Sequence, residues 1–455
     1  MTTNPRNEYR SYFALPLLIL FAVCIAGAVL RPGAPPPSGG PLNTGDTAWM
    51  LTASAFVLVM TPGLSFFYGG MVRSRNVVST MLQSFVAMGV VSVLWIVVGF
   101  SLAFGTSING IIGDPRTFFM FRHVGADTNA TLAATVPLVV FAMFQLKFAI
   151  ITPALITGSF AERVRFSSYL LFICLWSLLI YTPLAHWTWH PDGFLHKWGV
   201  LDFAGGTVVH VSAGVAALVG AVVLGRRKTH LASEPHTPAN IPFVLLGTGL
   251  LWFGWFGFNA GSAGAANGQA AMAFATTNTA SATAALTWIF IDGWKGRKPT
   301  ALGFCVGAVV GLVAITPAAG FVTVGDSLLI GAIGAAVSNL MVHWRSQTTL
   351  DDTLDVFPCH GVGGMVGMIL TGVFAKDVGL VTGATTTFIH HLIALVGVVA
   401  YVGIGSAVLY KITNAIIPMR VTEADEEVGL DISQHGEVMD EAAANAAFGP
   451  GLRRI

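Results

Sequence analysis

Two histidines stand inside stretches that otherwise read as membrane helices: His210 in GGTVVHVSAGVAALVGAVVLG and His360 in FPCHGVGGMVGMILTGVFA. An ionisable ring in a bilayer is costly unless a partner or a water-filled cavity receives it, so both are candidate functional residues. A neutral imidazole carries one N–H donor and one acceptor. Two facing rings can share a hydrogen bond and still offer edges to a small polar guest. A cation entering a dry conduit faces a dehydration cost on the order of 20 kcal/mol by an idealised Born argument. A small neutral base does not. The pair therefore suits a pore where a protonated guest loses its proton, or hands it to the rings, before crossing. The alternative is a structural hydrogen-bonded pair. A metal site is not indicated, because no Cys, Asp or Glu lies at ligand spacing from the pair.

The elements that must position these rings follow from composition. The chain has 455 residues, 54% hydrophobic and 10% charged, against roughly 25% charged in soluble domains. Lipid is thus its solvent for most of its length. The 52 glycines suit closely packed membrane helices. A net charge of +1 gives no electrostatic case for nucleic acid. The four cysteines show no CxxC or zinc spacing, which leaves them as small packing residues.

A crossing needs about 20 apolar residues, and eleven such runs follow residue 45. They lie at about 46–72, 77–104, 132–160, 167–189, 204–224, 241–262, 269–291, 300–319, 326–344, 359–375 and 384–414. Arg73, Arg75, Arg163, Arg165, Arg226, Arg227, Lys228, Lys295, Arg297, Lys298 and Arg345 all follow odd-numbered runs. The positive-inside rule then puts residue 45 outside and the C-terminus in the cytoplasm. Residues 1–44 read as a secretory signal peptide followed by a Pro/Gly-rich linker, with a retained anchor helix as the alternative. Residues 45–415 form the membrane domain. Residues 416–455 are polar and acid-rich, a cytoplasmic tail that is either a disordered end or a docking surface for a regulator.

Runs one to five and six to ten read as two inverted halves, since an odd number of spans flips the second copy. His210 and His360 each have a glycine four positions on, Gly214 and Gly364. Each has an aspartate upstream, Asp202 and Asp355. Inverted equivalents bring the two rings together near the midplane. Asp202 either caps its helix or supplies a favourable charge to a cation above it. Asp355 holds the cytoplasmic end of the tenth run.

These motifs resemble the ammonium transporter family, the Amt/MEP/Rh group. DFAGGTVVHVSAGVAALVG (202–220) is similar to its signature, and LDVFPCHGVGGMVG, WFGFNAGSAG, TPGLSFFYGGMVRSRNV, FAERVRFS and GLDISQHGE look like family blocks. The likeness runs from about residue 45 to 440 and is to the bacterial-type proteins. It implies an all-α membrane protein, two inverted five-helix repeats plus a long eleventh helix, in a homotrimer with one pore per protomer. It implies Phe144, Trp189 and Ser262 as an outer ammonium site, Phe148 and Phe258 as gate rings, and His210 and His360 as the pore pair. The substrates implied are ammonium and methylammonium, without a cofactor. The implied location is the cell inner membrane, with a cytoplasmic PII-type protein as regulatory partner. Trp189 and Phe144 suit a compact cation by cation–π contact, and Ser262 can accept an N–H.

Two departures stand out: Pro358 where a small residue is expected, and Lys147 between the gate-region phenylalanines. His190 and His196 read as solvated loop residues at the outer mouth. No Ser/His/Asp, Cys/His or metal constellation supports an enzyme. The competing function is an ammonium sensor signalling through the tail and a partner.

Overall fold

The computed structural model describes residues 5–30 and 37–439. The described residues are overwhelmingly helical, with one two-stranded hairpin pairing Ser107–Ile108 with Ile112–Gly113. Among the described residues, nine helices are long and apolar enough to cross a membrane. They are Thr44–Met71, Ser74–Phe104, Leu138–Ser159, Phe166–Lys197, Gly206–Leu224, Ile241–Ala260, Val324–Ser346, Phe357–Phe374 and Thr386–Ile416. Two further helices, Gly268–Trp294 and Ala301–Ile315, occupy the seventh and eighth expected runs. The second of these has only 15 residues. The first is diluted by hydroxyls that face inward: buried Thr276 and Ser281 donate to the carbonyls of Ala319 and Ala308. Small residues hold this layer together. A methyl on Gly311 or Gly331 would meet the Ala280 carbonyl at 2.5 or 2.3 Å, the close approach that small residues allow between membrane helices.

Boundaries shift where local chemistry overrides the apolar pattern. The third run, read from residue 132, becomes helical only at Leu138, because Pro137 occupies the N-cap position with extended backbone. The tenth starts two residues early, at Phe357, with Pro358 in its first turn. Proline is tolerated there, since the N–H it lacks has no partner inside the helix.

The helices that carry the two histidines begin alike. Each opens with a wide π-helical turn, Gly206–Val211 and Phe357–Val362, before regular α-helix. Such turns are frequent at functional sites. They cross backbone to backbone: a methyl on Gly214 would lie 2.1 Å from the Gly361 nitrogen. One on Gly364 would lie 3.1 Å from both the Gly206 oxygen and the His210 Cβ.

The loops rich in arginine form a buried ionic cluster rather than a loose positive fringe. The Arg227 guanidinium holds Asp351 at 2.8 Å and Glu162 at 2.6 Å. Arg163 donates to the carbonyls of Ser159 and Asp351 and to the Thr353 hydroxyl. Neighbouring guanidinium charge holds the Glu162 and Asp351 carboxyls below the usual carboxylate range.

Of the two tail readings, a disordered end does not describe its first part, which folds onto these loops. Arg420 bridges Val164 by backbone and pairs with Glu426 at 2.8 Å. The Asp431 carboxylate accepts the N–H groups of Val78 and Ser79 at 3.1 and 2.7 Å. Residues 440–455 lie outside the described residues, as do residues 31–36 of the linker. The 25-residue helix Pro5–Val29 leaves Leu15, Leu18 and Ile25 exposed.

Candidate functional site

The histidine rings meet. His210 Nδ1 and His360 Nδ1 are 3.4 Å apart, with ring centroids separated by 5.5 Å. Both side chains are buried. With one N–H shared between the Nδ1 atoms, each ring keeps Nε2 for other use. His210 Nε2 has no hydrogen-bond partner among the described residues. A buried unpaired ring nitrogen costs about 1–3 kcal/mol unless something satisfies it.

Behind His210 lies Trp255, its ring stacked at 5.3 Å and 19°. The indole N–H donates to Thr316 Oγ1 at 2.9 Å. The two rings enclose a tight apolar chamber of about 10 Å³ lined also by Phe258 and Val209. A single water needs about 10–15 Å³. The chamber thus has room for one molecule of that size and offers it little but hydrocarbon and imidazole.

Phe258 forms one wall of the chamber and packs against Phe148, with centroids 4.2 Å apart. Beyond Phe148 opens a cavity of about 180 Å³ lined by Trp189, Gln145, Phe141, Thr131 and Ser262. Trp189 stands edge-on to Phe148 at 5.6 Å, and its indole N–H donates to the Asp202 carbonyl at 3.1 Å. The Ser262 hydroxyl donates to the Phe258 carbonyl at 2.9 Å. With its proton committed there, the Ser262 oxygen is left as an acceptor. Phe144 does not line this cavity. Its ring packs behind Phe148 at 5.0 Å, over Gly261, where the lack of a side chain leaves space for it. Lys147 is half-buried on the same helix and does not line the cavity.

On the other side of the pair, His360 lines a second cavity of about 200 Å³ with Phe67, Tyr68, Trp288, Cys359 and Asp355. The order is therefore cavity, Phe148, Phe258, His210, His360, cavity.

Asp202 caps the His210 helix: its carboxylate accepts the N–H groups of Gly205, Gly206 and Thr207 at 2.8, 2.6 and 2.7 Å and the Thr207 hydroxyl. The corresponding cap at the tenth run is Asp352, not Asp355. Asp352 accepts Val356 and Phe357 N–H at 3.2 and 2.8 Å. Asp355 instead holds Arg345 in a two-pronged ion pair at 2.7 and 3.0 Å. The signal was in the sequence: Asp202 and Asp352 each stand eight residues before their histidine. Burial and the neighbouring Asp355 charge push the Asp352 carboxyl up to about 7. His190, expected in solvent, is buried and stacks on His186 at 4.4 Å, while His196 is exposed. Trp255 and Gln145 are further site residues that motif reading passed over, both hidden among many apolar-run residues.

Comparison with known proteins agrees over nearly the whole length. Residues 48–439 match the profile of the Ammonium Transporter Family. An ammonium transporter of Aquifex aeolicus is 48% identical over 403 residues, 87% of this chain and 93% of the relative. The crystal structure of Saccharomyces cerevisiae Mep2 superimposes with a TM-score of 0.81 at 36% identity, covering 89% of this chain and 93% of that one. A structure described as a sensor Amt protein has a TM-score of 0.79 at 28% identity, covering 86% and 98%. With that profile and that identity across most of both lengths, this chain is a multi-pass membrane protein belonging to the Ammonium Transporter Family.

Proposed function

We propose that the protein conducts ammonium across the cell inner membrane as a homotrimer with one pore per protomer. Each protomer crosses eleven times over residues 45–415, as two inverted five-helix halves and a final long helix. Residues 1–44 are a signal peptide and linker, and residues 416–455 a cytoplasmic tail. Ammonium or methylammonium enters the Trp189 cavity from outside. There Trp189 and Phe148 supply π faces, backed by Phe144, and Ser262 an acceptor oxygen. Deprotonation at Phe148 lets NH3 pass the Phe148–Phe258 pair. The neutral base then moves along His210 and His360 into the inner cavity beside Asp355. Asp202 holds the His210 helix in register for this. The proton crosses separately or stays outside.

The observation that carries this reading is the unpaired His210 Nε2 on a chamber sized for one small molecule. A cation would face that hydrocarbon wall unhydrated; ammonia needs only one hydrogen-bond partner at a time. The test is reconstitution in liposomes with current and internal pH recorded after an ammonium pulse. Current means that charge crosses, and alkalinisation without current means neutral NH3. Neither signal, with the oligomer intact, refutes the reading.

The second reading is an ammonium sensor, favoured by the likeness to the sensor Amt protein and by a tail folded against three loops. A PII-type protein binding that cytoplasmic face is the regulator expected for the transporter. Normal flux excludes a pure sensor.

A further inference from the structure

We infer that Gln145 is a specificity-determining residue of the Trp189 cavity, supplying an amide oxygen that completes the cage around an ammonium ion. The inference rests on the transport reading above.

Three residues of one helix face, Phe141, Gln145 and Phe148, line the cavity together, as their spacing of four and three along a helix requires. Gln145 is the polar member of that stripe. Its Oε1 is buried and has no hydrogen-bond partner among the described residues. A glutamine kept for structure would have its amide engaged, because an unmet buried acceptor costs about 1–3 kcal/mol. Here the amide oxygen is unengaged beside a cavity large enough for a guest. The terminal amide torsion is soft and roughly two-fold, so a half-turn presents the oxygen to whatever occupies the cavity.

The guest's own geometry gives that oxygen a task. Ammonium has four N–H donors in tetrahedral array. Ser262 Oγ, whose proton is committed to the Phe258 carbonyl, takes one. The faces of Trp189 and Phe148 take two more by cation–π attraction. The Gln145 oxygen takes the fourth. Methylammonium has three N–H donors and has none left for Gln145 once the others are met. A potassium ion is attracted by the π faces too, but two neutral oxygens are a poor replacement for its hydration shell. Gln145 therefore favours ammonium over both.

The test is ammonium-dependent current or pH change in liposomes, measured against concentration for wild type, Gln145→Leu, Gln145→Glu and Ser262→Ala. Loss of one hydrogen bond to a charged group predicts a half-saturation concentration raised roughly tenfold or more in Gln145→Leu. Maximal flux stays within about twofold, and discrimination against methylammonium narrows, because the passage beyond Phe148 is untouched. Gln145→Glu keeps an acceptor and adds charge, so half-saturation falls and potassium becomes a competitor. That variant reads the proposal even if Gln145→Leu does not fold. Unchanged half-saturation and selectivity in either variant, with Ser262→Ala impaired, overturns the Gln145 assignment alone. No signal from wild type refutes the transport reading itself.

Discussion

His210 and His360 are held differently, and the difference says what each can do. His210 is clamped from behind by Trp255, which is itself anchored on Thr316, so its ring plane is fixed and its Nε2 stays free. His360 borders both the small chamber and the Asp355-side cavity, so it stands between the two. Replacing either ring by alanine removes half of a hydrogen-bonding rail and leaves a wetter gap. We expect His210→Ala and His360→Ala each to reduce ammonium flux roughly tenfold, the effect of about 1.4 kcal/mol on a barrier, or to admit potassium. Liposome flux with and without potassium checks this, and unchanged flux and selectivity in both variants would return the pair to a structural role. Trp255→Leu should have an intermediate effect, since it frees the His210 ring without removing it. Reading the motifs located the pair, Trp189, Ser262 and the Phe148–Phe258 contact. It made Phe144 the wall of the outer site and Phe148 only a gate ring, whereas Phe148 lines the cavity and Phe144 packs behind it, because which of two rings on one helix faces a void depends on Gly261 of another helix.

At the scale of elements, the two histidine helices repeat one design: an aspartate cap, a π-helical turn that carries the histidine, then a glycine contact. Most of the apolar runs were legible from hydropathy, and nine of them stand as membrane-long helices among the described residues. The cap was misassigned because an upstream aspartate alone does not reveal which backbone N–H groups it meets. Asp355 has a positive φ of 56° and turns its carboxylate to Arg345, while Asp352 reaches the helix start. Losing a capping side chain costs about 0.5–2 kcal/mol. We therefore expect Asp352→Ala to lower thermal stability in detergent by an amount of that order and to impair flux by loosening the His360 turn. Asp355→Ala should instead strand the Arg345 guanidinium and disturb mainly that side of the cavity, so only Asp352→Ala should quicken amide exchange at Val356 and Phe357. Exchange at those two amides that quickens in Asp355→Ala but not in Asp352→Ala would contradict the cap assignment. The glycine contact is stricter. A side chain on Gly214 would press on the Gly361 backbone, which has nowhere to move without parting the histidines. Gly214→Val should leave little folded protein by size-exclusion chromatography, whereas Gly249→Ala, with no neighbour within 4 Å of an added Cβ, should behave as wild type.

Across the whole molecule, the tail ties the ionic loop cluster to the membrane helices. Arg420 donates to the Leu224 and Arg226 carbonyls, Glu426 accepts Lys228 N–H, and Leu430 N–H donates to Asn76. None of this was readable from composition, because an acid-rich tail looks the same whether it is docked or free. Docking does bury a carboxyl, and that makes it sensitive to pH. Burial, opposed by the Ser79 and Val78 N–H groups and reinforced by the nearby Glu437 charge, pushes the Asp431 carboxyl up to about 6. His435, on the same turn, contacts Ser79 and stacks edge-on against Phe166. Because the docked value lies above the usual carboxylate range, the docked state binds the proton more tightly than the free tail. Its contribution to docking is therefore fully present below about pH 4 and is lost as pH rises through about 6. We expect amide exchange across residues 423–437 to quicken between about pH 4 and 6 beyond the intrinsic rate increase, then to level off above that range. Asp431→Asn, which keeps an acceptor but cannot titrate, should flatten that dependence. If the variant and wild type show the same pH profile, Asp431 does not set it, and His435 becomes the group to replace next.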